Sequence, residues 1–256
     1  MPSDRVVQVE VTRGVATLTL DSPANRNALS RAMRTQLRTA MSEALADDAV
    51  RAVVLDHTGR VFCSGMDLAE ASGGGVEDQG VREFPELLEL IWSAPKPVVA
   101  VVRGPARAGG VGLVAACDVV VAGASATFAF SEVRLGLVPA VISAVVLPRM
   151  VRHVAHRLML TGQVFDADTA AEGGLVDLVV PDTDVDGEVR AQLVHLTAGA
   201  PAALAETKRL LRARTPDLGF DELLELSARF FASEEGQEGI ASFREKRPAR
   251  WVPTAD

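Results

Sequence analysis

Three short apolar runs constrain this chain more than any other feature: Ala52–Asp56, Pro97–Val102 and Val119–Ala122. Each is too short for a stable helix, and their β-branched content is that of strands buried on both faces. Helix-period segments separate them. Ser30 stands where an N-cap belongs, and Met33, Leu37, Ala40, Met41 and Leu45 recur behind it at helical spacing. Phe84–Ser93 reads as a helix with Pro85 tolerated in its first turn, and Ala108–Cys117 as another. Strands that alternate with helices lie in a parallel sheet. The start is different: Val6–Val11 and Val15–Leu20 read as a hairpin around Thr12-Arg13-Gly14. Beyond the third run come a short strand at Thr127–Phe128 and helical stretches at Val141–Val154, Arg157–Thr161 and Ala167–Glu172. After Asp184 only helical periodicity remains, at Glu188–Leu196, Pro201–Ala213, Leu223–Phe231 and Glu235–Phe243. The expected organisation is a β/α core over residues 1–195 and a helical region over 196–256, without internal repeats.

A single open dinucleotide-binding sheet is the first competitor, and it fails on detail. Gly104-Pro105-Ala106-Arg107-Ala108-Gly109-Gly110 begins like a phosphate loop, but Gly110 and Val111 stand where Lys and Ser/Thr are needed. The glycines are not at dinucleotide spacing, and no acid ends a following strand about 20 residues on. The net charge of −8 argues against nucleic acid and anionic membrane surfaces. Absence of tyrosine and 4% aromatics argue against base-stacking platforms. The window from Ala108 to Phe130 has membrane-like hydropathy, but Asp118 near its middle would cost about 2.5–3.5 kcal/mol to insert, so a buried helix and strand explain it better. Cys63 and Cys117 sit among small apolar residues and read as buried reduced thiols. With no signal pattern at Met1–Arg5, the expected compartment is the cytoplasm.

Two stretches and one carboxylate carry the chemistry: Ser64-Gly65-Met66-Asp67-Leu68, the Gly104–Gly110 stretch, and Glu132 in Ser131-Glu132-Val133-Arg134-Leu135-Gly136. Each stretch joins small residues to a strand-to-helix turn and so can present a bare backbone N–H. Two such donors aimed at one point hold a developing oxyanion, and a nearby acid can move a proton. Gly109 and Gly110 open a helix, whose first N–H groups lack internal partners; close helix–strand packing would explain the same glycines. Asp67 could equally cap an ordinary connection. Glu132, among Phe128, Phe130, Val133, Leu135 and Leu137, would be partly desolvated and its pKa raised, or it could pair with Arg134 or Arg149. Arg26 could meet a phosphate or be solvated. His153 and His156 lie three apart, but no third ligand accompanies them, so no metal site is expected. Ser64 and Cys63 lack a nucleophile elbow or a basic partner.

Taken in order, Asn25-Arg26-Asn27-Ala28-Leu29, Phe62-x-Ser64-Gly65-Met66-Asp67-Leu68, Gly104–Gly110 with Ala116-Cys117-Asp118, and Glu132-Val133-x-Leu135-Gly136-Leu137-x-Pro139 resemble the crotonase superfamily of enoyl-CoA hydratases and isomerases over residues 5–250. The resemblance implies an α/β fold: a crotonase-type spiral of ββα repeats with a helical C-terminal trimerisation region, assembled as a homotrimer or dimer of trimers. It implies an acyl-coenzyme A thioester as ligand and no permanently bound cofactor. Met66 and Gly109 would supply the oxyanion hole and Glu132 the proton. Arg26 and Ala28 would lie along the coenzyme A, and Ser64 would meet the adenine through its backbone, beside Asp67 and Leu68. Gly110, Gly112 and Pro139 would flank the substrate. Phe243 and Lys246 match a C-terminal segment that reaches a neighbouring subunit's coenzyme A.

Two departures bear on the reaction. Hydratases of this superfamily usually carry two catalytic glutamates; one matches Glu132, and the other falls on Gly112. After Pro139, Ala140-Val141-Ile142-Ser143 replaces a Gly-rich run, a feature shared with a subgroup that hydrates branched glutaconyl-type thioesters. The leading reading is hydration of a 2-enoyl-CoA, with water activation helped by Glu70, Glu77, Asp78 or Glu86 in a Gly-rich, lid-like loop, or by a carboxylate of the substrate. A Δ3,Δ2-enoyl-CoA isomerase needs only one acid, and a non-catalytic acyl-CoA binder needs none.

Overall fold

The computed structural model describes residues 5–71, 83–212 and 219–253. The chain opens on the expected hairpin: β1 (Val7–Thr12) pairs antiparallel with β2 (Val15–Leu20), Val9 opposite Leu18. Ala16, Leu18 and Leu20 point inward and are fully buried, as period-two alternation requires. Helix α1 (Arg31–Ala46) starts where Ser30 accepts the Met33 N–H (3.2 Å) and lays Met33, Leu37, Ala40 and Met41 on the core. β3 (Ala52–His57), α2 (Leu68–Ala71), α3 (Glu83–Trp92), β4 (Val98–Val102), β5 (Ala106–Arg107), α4 (Gly109–Ala116), β6 (Val119–Gly123) and β7 (Thr127–Ala129) follow. Next come α5 (Ala140–Arg149), α6 (Arg152–Thr161), β8 (Phe165–Asp166), α7 (Ala167–Glu172), β9 (Leu178–Val180), α8 (Val185–Ala198), α9 (Pro201–Arg212), α10 (Phe220–Ala232) and α11 (Glu234–Glu245).

The strands form two sheets. The larger has the order β1-β2-β3-β4-β6-β9 and is parallel from β2 onward; the smaller has the order β5-β7-β8. A parallel bridge between Cys63 and Ala106 extends the smaller ladder. Each turn of the chain gives one strand to the large sheet, one to the small sheet and then a helix: β4, β5 and α4, then β6, β7 and α5. This is the ββα spiral expected, not a doubly wound sheet. The main core lies between the two sheets and the helices α1, α3, α4 and α5; a second apolar layer, Val54, Val99, Val101 and Val121 against Val185 and Val189, seats α8 on the other face. The expected boundary at residue 195 falls inside α8. Cys63 and Cys117 are buried free thiols, each pushed up to about 12 by desolvation.

One expectation needs correction. The helix expected over Val141–Val154 ends at Arg149: the Val151 N–H bonds the Gly173 carbonyl (2.9 Å) and the chain turns into α6. Pro148 sits in the last turn of α5, where its ring deprives the helix of a donor. The two-residue strands β5 and β8, and β9, were not anticipated from the sequence. Runs this short carry no periodicity of their own; ladder partners from distant segments define them.

Candidate active site

A cavity of about 370 Å³ lies between the start of α4, the segment after β7 and the start of α5, lined among others by Ser64, Met66, Leu68, Phe84, Ala108, Gly109, Glu132, Leu137, Pro139 and Ile142. The two stretches singled out above meet at its inner end. Leu29 bonds the Gly65 carbonyl through its N–H (2.8 Å) and forms a parallel bridge with Met66. Gly65 has φ +92°, and a Cβ there would come within 3.2 Å of both Ala108 Cβ and Arg107 O and 3.7 Å of Gly109 N. The backbone at residues 65–66 therefore runs against the first turn of α4. Among the described residues, neither the Met66 N–H nor the Gly109 N–H donates to a protein acceptor.

Strain aims the second of these amides. Ala108, the N-cap of α4, has φ 45° and ψ −115°, a region that costs an ordinary residue on the order of 1–3 kcal/mol. Its N–H is anchored on the Ala129 carbonyl (2.9 Å), and Arg107 is anchored on the Thr127 carbonyl (2.7 Å) and hydroxyl (2.9 Å). With the turn held from both sides, Gly109 enters the helix with its N–H free at the positive end of the helix dipole. Its Cα is bare for packing as well: a Cβ on Gly109 would meet Leu29 Cδ1 at 2.8 Å and Phe84 Cζ at 3.2 Å. Gly110 follows the packing explanation, since a Cβ there would strike the Cys63 carbonyl at 2.7 Å.

Glu132 begins a 3-10 turn, Glu132–Leu135, that closes on Gly136 at φ 73°. Its Oε2 is out of contact with water and has no hydrogen-bond partner among the described residues. The ion pairs offered as an alternative do not form. Arg134 donates to the Thr161 carbonyl (3.2 Å), and Arg149 bonds the Cys117 carbonyl (2.7 Å) and pairs with Asp177. Desolvation raises the Glu132 pKa above its ordinary value of 4.5, opposed by a weaker bond from its own N–H. Of the apolar residues expected around it, Leu135 and Leu137 line the cavity; Phe128 and Phe130 lie in the core and Val133 is exposed.

The other residues singled out divide. Ser64, Leu68 and Pro139 line the cavity. The Ser64 N–H bonds the Arg26 carbonyl (3.1 Å), and the Arg26 side chain is exposed. Ala28 is buried and does not line the cavity, and Asp67 accepts the Ala69 N–H (3.0 Å) as a cap of α2. Gly112 does not reach the cavity. Ile142 covers it: a Cβ on Gly112 would lie 2.5 Å from Ile142 Cγ2. Among the described residues the space over Gly112 is filled by hydrocarbon, Ile142 with Leu88 beside it. Glu70 accepts the Arg31 backbone N–H (2.7 Å) and Glu86 pairs with Arg38 (3.5 Å), so both are engaged away from the cavity; Glu77 and Asp78, with most of the Gly-rich loop, lie outside the described residues. Phe243 and Lys246 are exposed at the end of α11, away from the cavity in this chain. His153 and His156 are exposed on α6.

Sequence reasoning missed two residues here. Asn27, fully buried at φ 51°, accepts the Ser22 N–H (2.7 Å) and donates to the Thr58 (3.0 Å) and Val61 (2.8 Å) carbonyls, tying the loop before α1 to the loop after β3. An Asn in a loop among small residues was the available signal, because Asn tolerates the left-handed region. For Ile142 the sequence shows only its place in the Ala140–Ser143 departure; its contact with Gly112, thirty residues away, left no signal.

The family described as enoyl-CoA hydratase/isomerase matches residues 10–253. A Rhodobacter capsulatus protein named "Probable enoyl-CoA hydratase" is 37% identical over 98% of this chain and 99% of its own length. Among solved structures, Pseudomonas aeruginosa AtuE superposes with a TM-score of 0.91 at 36% identity, over 97% of this chain and 100% of that one. An enoyl-CoA hydratase from Mycobacterium avium superposes with a TM-score of 0.75 at 41% identity, over 98% and 100%.

Proposed function

Because this chain belongs to the enoyl-CoA hydratase/isomerase family, we propose that it hydrates a 2-enoyl-CoA thioester with Glu132 as its one proton-transfer group. One observation carries the reading: Glu132, a desolvated carboxyl with one unpartnered oxygen, lines the same cavity as Met66 and Gly109, whose N–H groups donate to no protein acceptor among the described residues. The thioester carbonyl oxygen accepts from those two donors. The Glu132 carboxylate takes one proton from a water molecule as the water oxygen bonds C3. The C2–C3 π electrons move toward the thioester, and the resulting enolate oxygen is stabilised by both N–H groups. Glu132 then returns the proton to C2, leaving a 3-hydroxyacyl-CoA. Donors fixed in advance favour the enolate over the ground-state carbonyl, which is what lowers the barrier. A raised pKa suits an acid that must accept and then release the same proton near neutral pH.

Loss of enoyl-thioester absorbance with crotonyl-CoA or 3-methylglutaconyl-CoA tests the reading; thioester binding without turnover would leave only a binding protein. The hydrocarbon over Gly112 favours a second reading, a Δ3,Δ2-enoyl-CoA isomerase, because moving a proton from C2 to C4 needs no second acid to activate water. Incubating a 3-enoyl-CoA in heavy water and finding labelled, conjugated product would select it. We place the protein in the cytoplasm as a trimer or dimer of trimers. Two buried free thiols support the first; exposed apolar residues on the C-terminal helices, Phe220, Leu224, Phe231 and Phe243, support the second. In such an assembly Phe243 and Lys246 would meet the coenzyme A of a neighbouring subunit, while Arg26, Ala28 and Asp67 would border the coenzyme A of their own.

A further inference from the structure

We propose that Ile142 determines which acyl groups the cavity accepts, by excluding bulk at the third and fourth acyl carbons; the inference rests on the acyl-CoA reading above. Gly112 lies three residues beyond Gly109 on α4, about 4.5 Å further along the axis at 1.5 Å per residue. An acyl group whose carbonyl oxygen accepts from the Gly109 N–H and whose chain then runs back alongside α4 carries its third and fourth carbons toward that level. The wall there belongs to Ile142. Its Cγ2 and Cβ stand 2.5 and 3.2 Å from the position of a Gly112 Cβ, and Leu88 Cδ1 closes the third side at 3.6 Å. Ile142 lines the cavity and is only 3% exposed, whereas Gly112 contributes nothing to the lining. As the third residue of α5, Ile142 is β-branched on a helix, where one χ1 rotamer dominates. The wall is therefore rigid and does not yield as a methionine would. Removing three side-chain carbons would uncover the bare face of α4 and open a side pocket beside the reacting carbons.

The test compares the wild type with Ile142→Ala, using kcat/KM for crotonyl-CoA and 3-methylcrotonyl-CoA and dissociation constants for butyryl-CoA and isovaleryl-CoA. One methylene in an apolar pocket discriminates by about 10–200-fold, so the branched-to-unbranched ratio should rise at least about tenfold in both measurements. Ile142→Val should move it the same way by less, which keeps the test open if Ile142→Ala does not fold. Gly112→Ala should depress binding of both ligands on its own, and Gly112→Ala combined with Ile142→Ala should recover it. Binding ratios that stay the same in both Ile142 variants, or a Gly112→Ala protein that binds like the wild type, overturn the proposal. If neither enoyl thioester turns over but the binding ratio shifts, the hydratase reading fails and the role of Ile142 stands. If neither saturated ligand binds, both fall.

Discussion

Two half-buried carboxylates at opposite ends of α4 meet opposite fates. Asp118, just past the C-terminal end, is surrounded by donors: the Val98 N–H (2.8 Å), Lys208 (2.6 Å) and Arg212 (2.6 Å), the last stacked on Trp92. Glu132, on the same cavity as the N-terminal end, has an oxygen with no donor among the described residues. Burial is similar in kind, and partners make the difference. The Asp118 carboxylate, with a donor on each oxygen, ties α9 to the sheet. The Glu132 carboxyl, with one oxygen unpartnered among the described residues, has its proton affinity raised by desolvation.

The comparison predicts separable losses. The largest effect is expected for Glu132→Gln: a fall of about 10²–10⁴-fold in kcat at saturating enoyl-CoA with thioester binding retained. A variant that keeps its rate would move Glu132 to the structural class. Next, Asp118→Ala strands Lys208 and Arg212 without a counter-charge and should destabilise by about 3–5 kcal/mol, read as a lower denaturant midpoint. Turnover per folded molecule should stay within a few-fold, and a selective loss of turnover would break the contrast. Ala108→Gly relaxes the strained turn, so stability should rise by about 1 kcal/mol, the strain relieved less the unfolded-chain entropy of glycine. A slower enzyme alongside the higher midpoint would show that the strain holds the Gly109 amide in place.

The smallest effect is a pH dependence. A raised folded-state pKa means that the native protein holds the Glu132 proton more tightly than the unfolded chain does. The wild type should therefore lose stability relative to Glu132→Gln as pH rises from the unfolded value, about 4.3, through the higher folded one. Melting curves of the two proteins should coincide in their dependence on this site below about pH 4 and separate toward neutrality. In the rate, the acidic limb belongs to deprotonation of Glu132 and should lie above 4.5. At the far end of the chain the sign reverses: hydrogen bonds from Arg247 hold the Glu238 carboxyl down to about 2, so the stability from that pair persists until strongly acidic pH.

Much of the fold was legible because the signals were local. The hairpin, α1 with its Ser30 cap, β3, β4, β6 and the four C-terminal helices all follow from periodicity and end residues within a dozen positions. The break after Arg149 was harder, since its cause is a bond from Val151 to Gly173. At the site, the sequence placed Met66, Gly109 and Glu132 as partners in one chemistry, and the structure puts all three on one cavity. It did not reveal that Gly110 is bare for Cys63, that Arg134 and Arg149 are committed elsewhere, or that Asn27 ties two loops together.

The sequence by itself determined which groups were available: small residues at two strand-to-helix turns, one acid in apolar company, and no side chain at position 112. These are properties of single positions and short windows, fixed by covalent structure and near-neighbour sterics. Only the tertiary structure decided which groups are left unpaired. The solitude of Glu132 depends on where Arg134 and Arg149 go, and the fate of the space at Gly112 depends on Ile142 from another helix. Burial and partnership are relations between distant residues, and packing alone sets them.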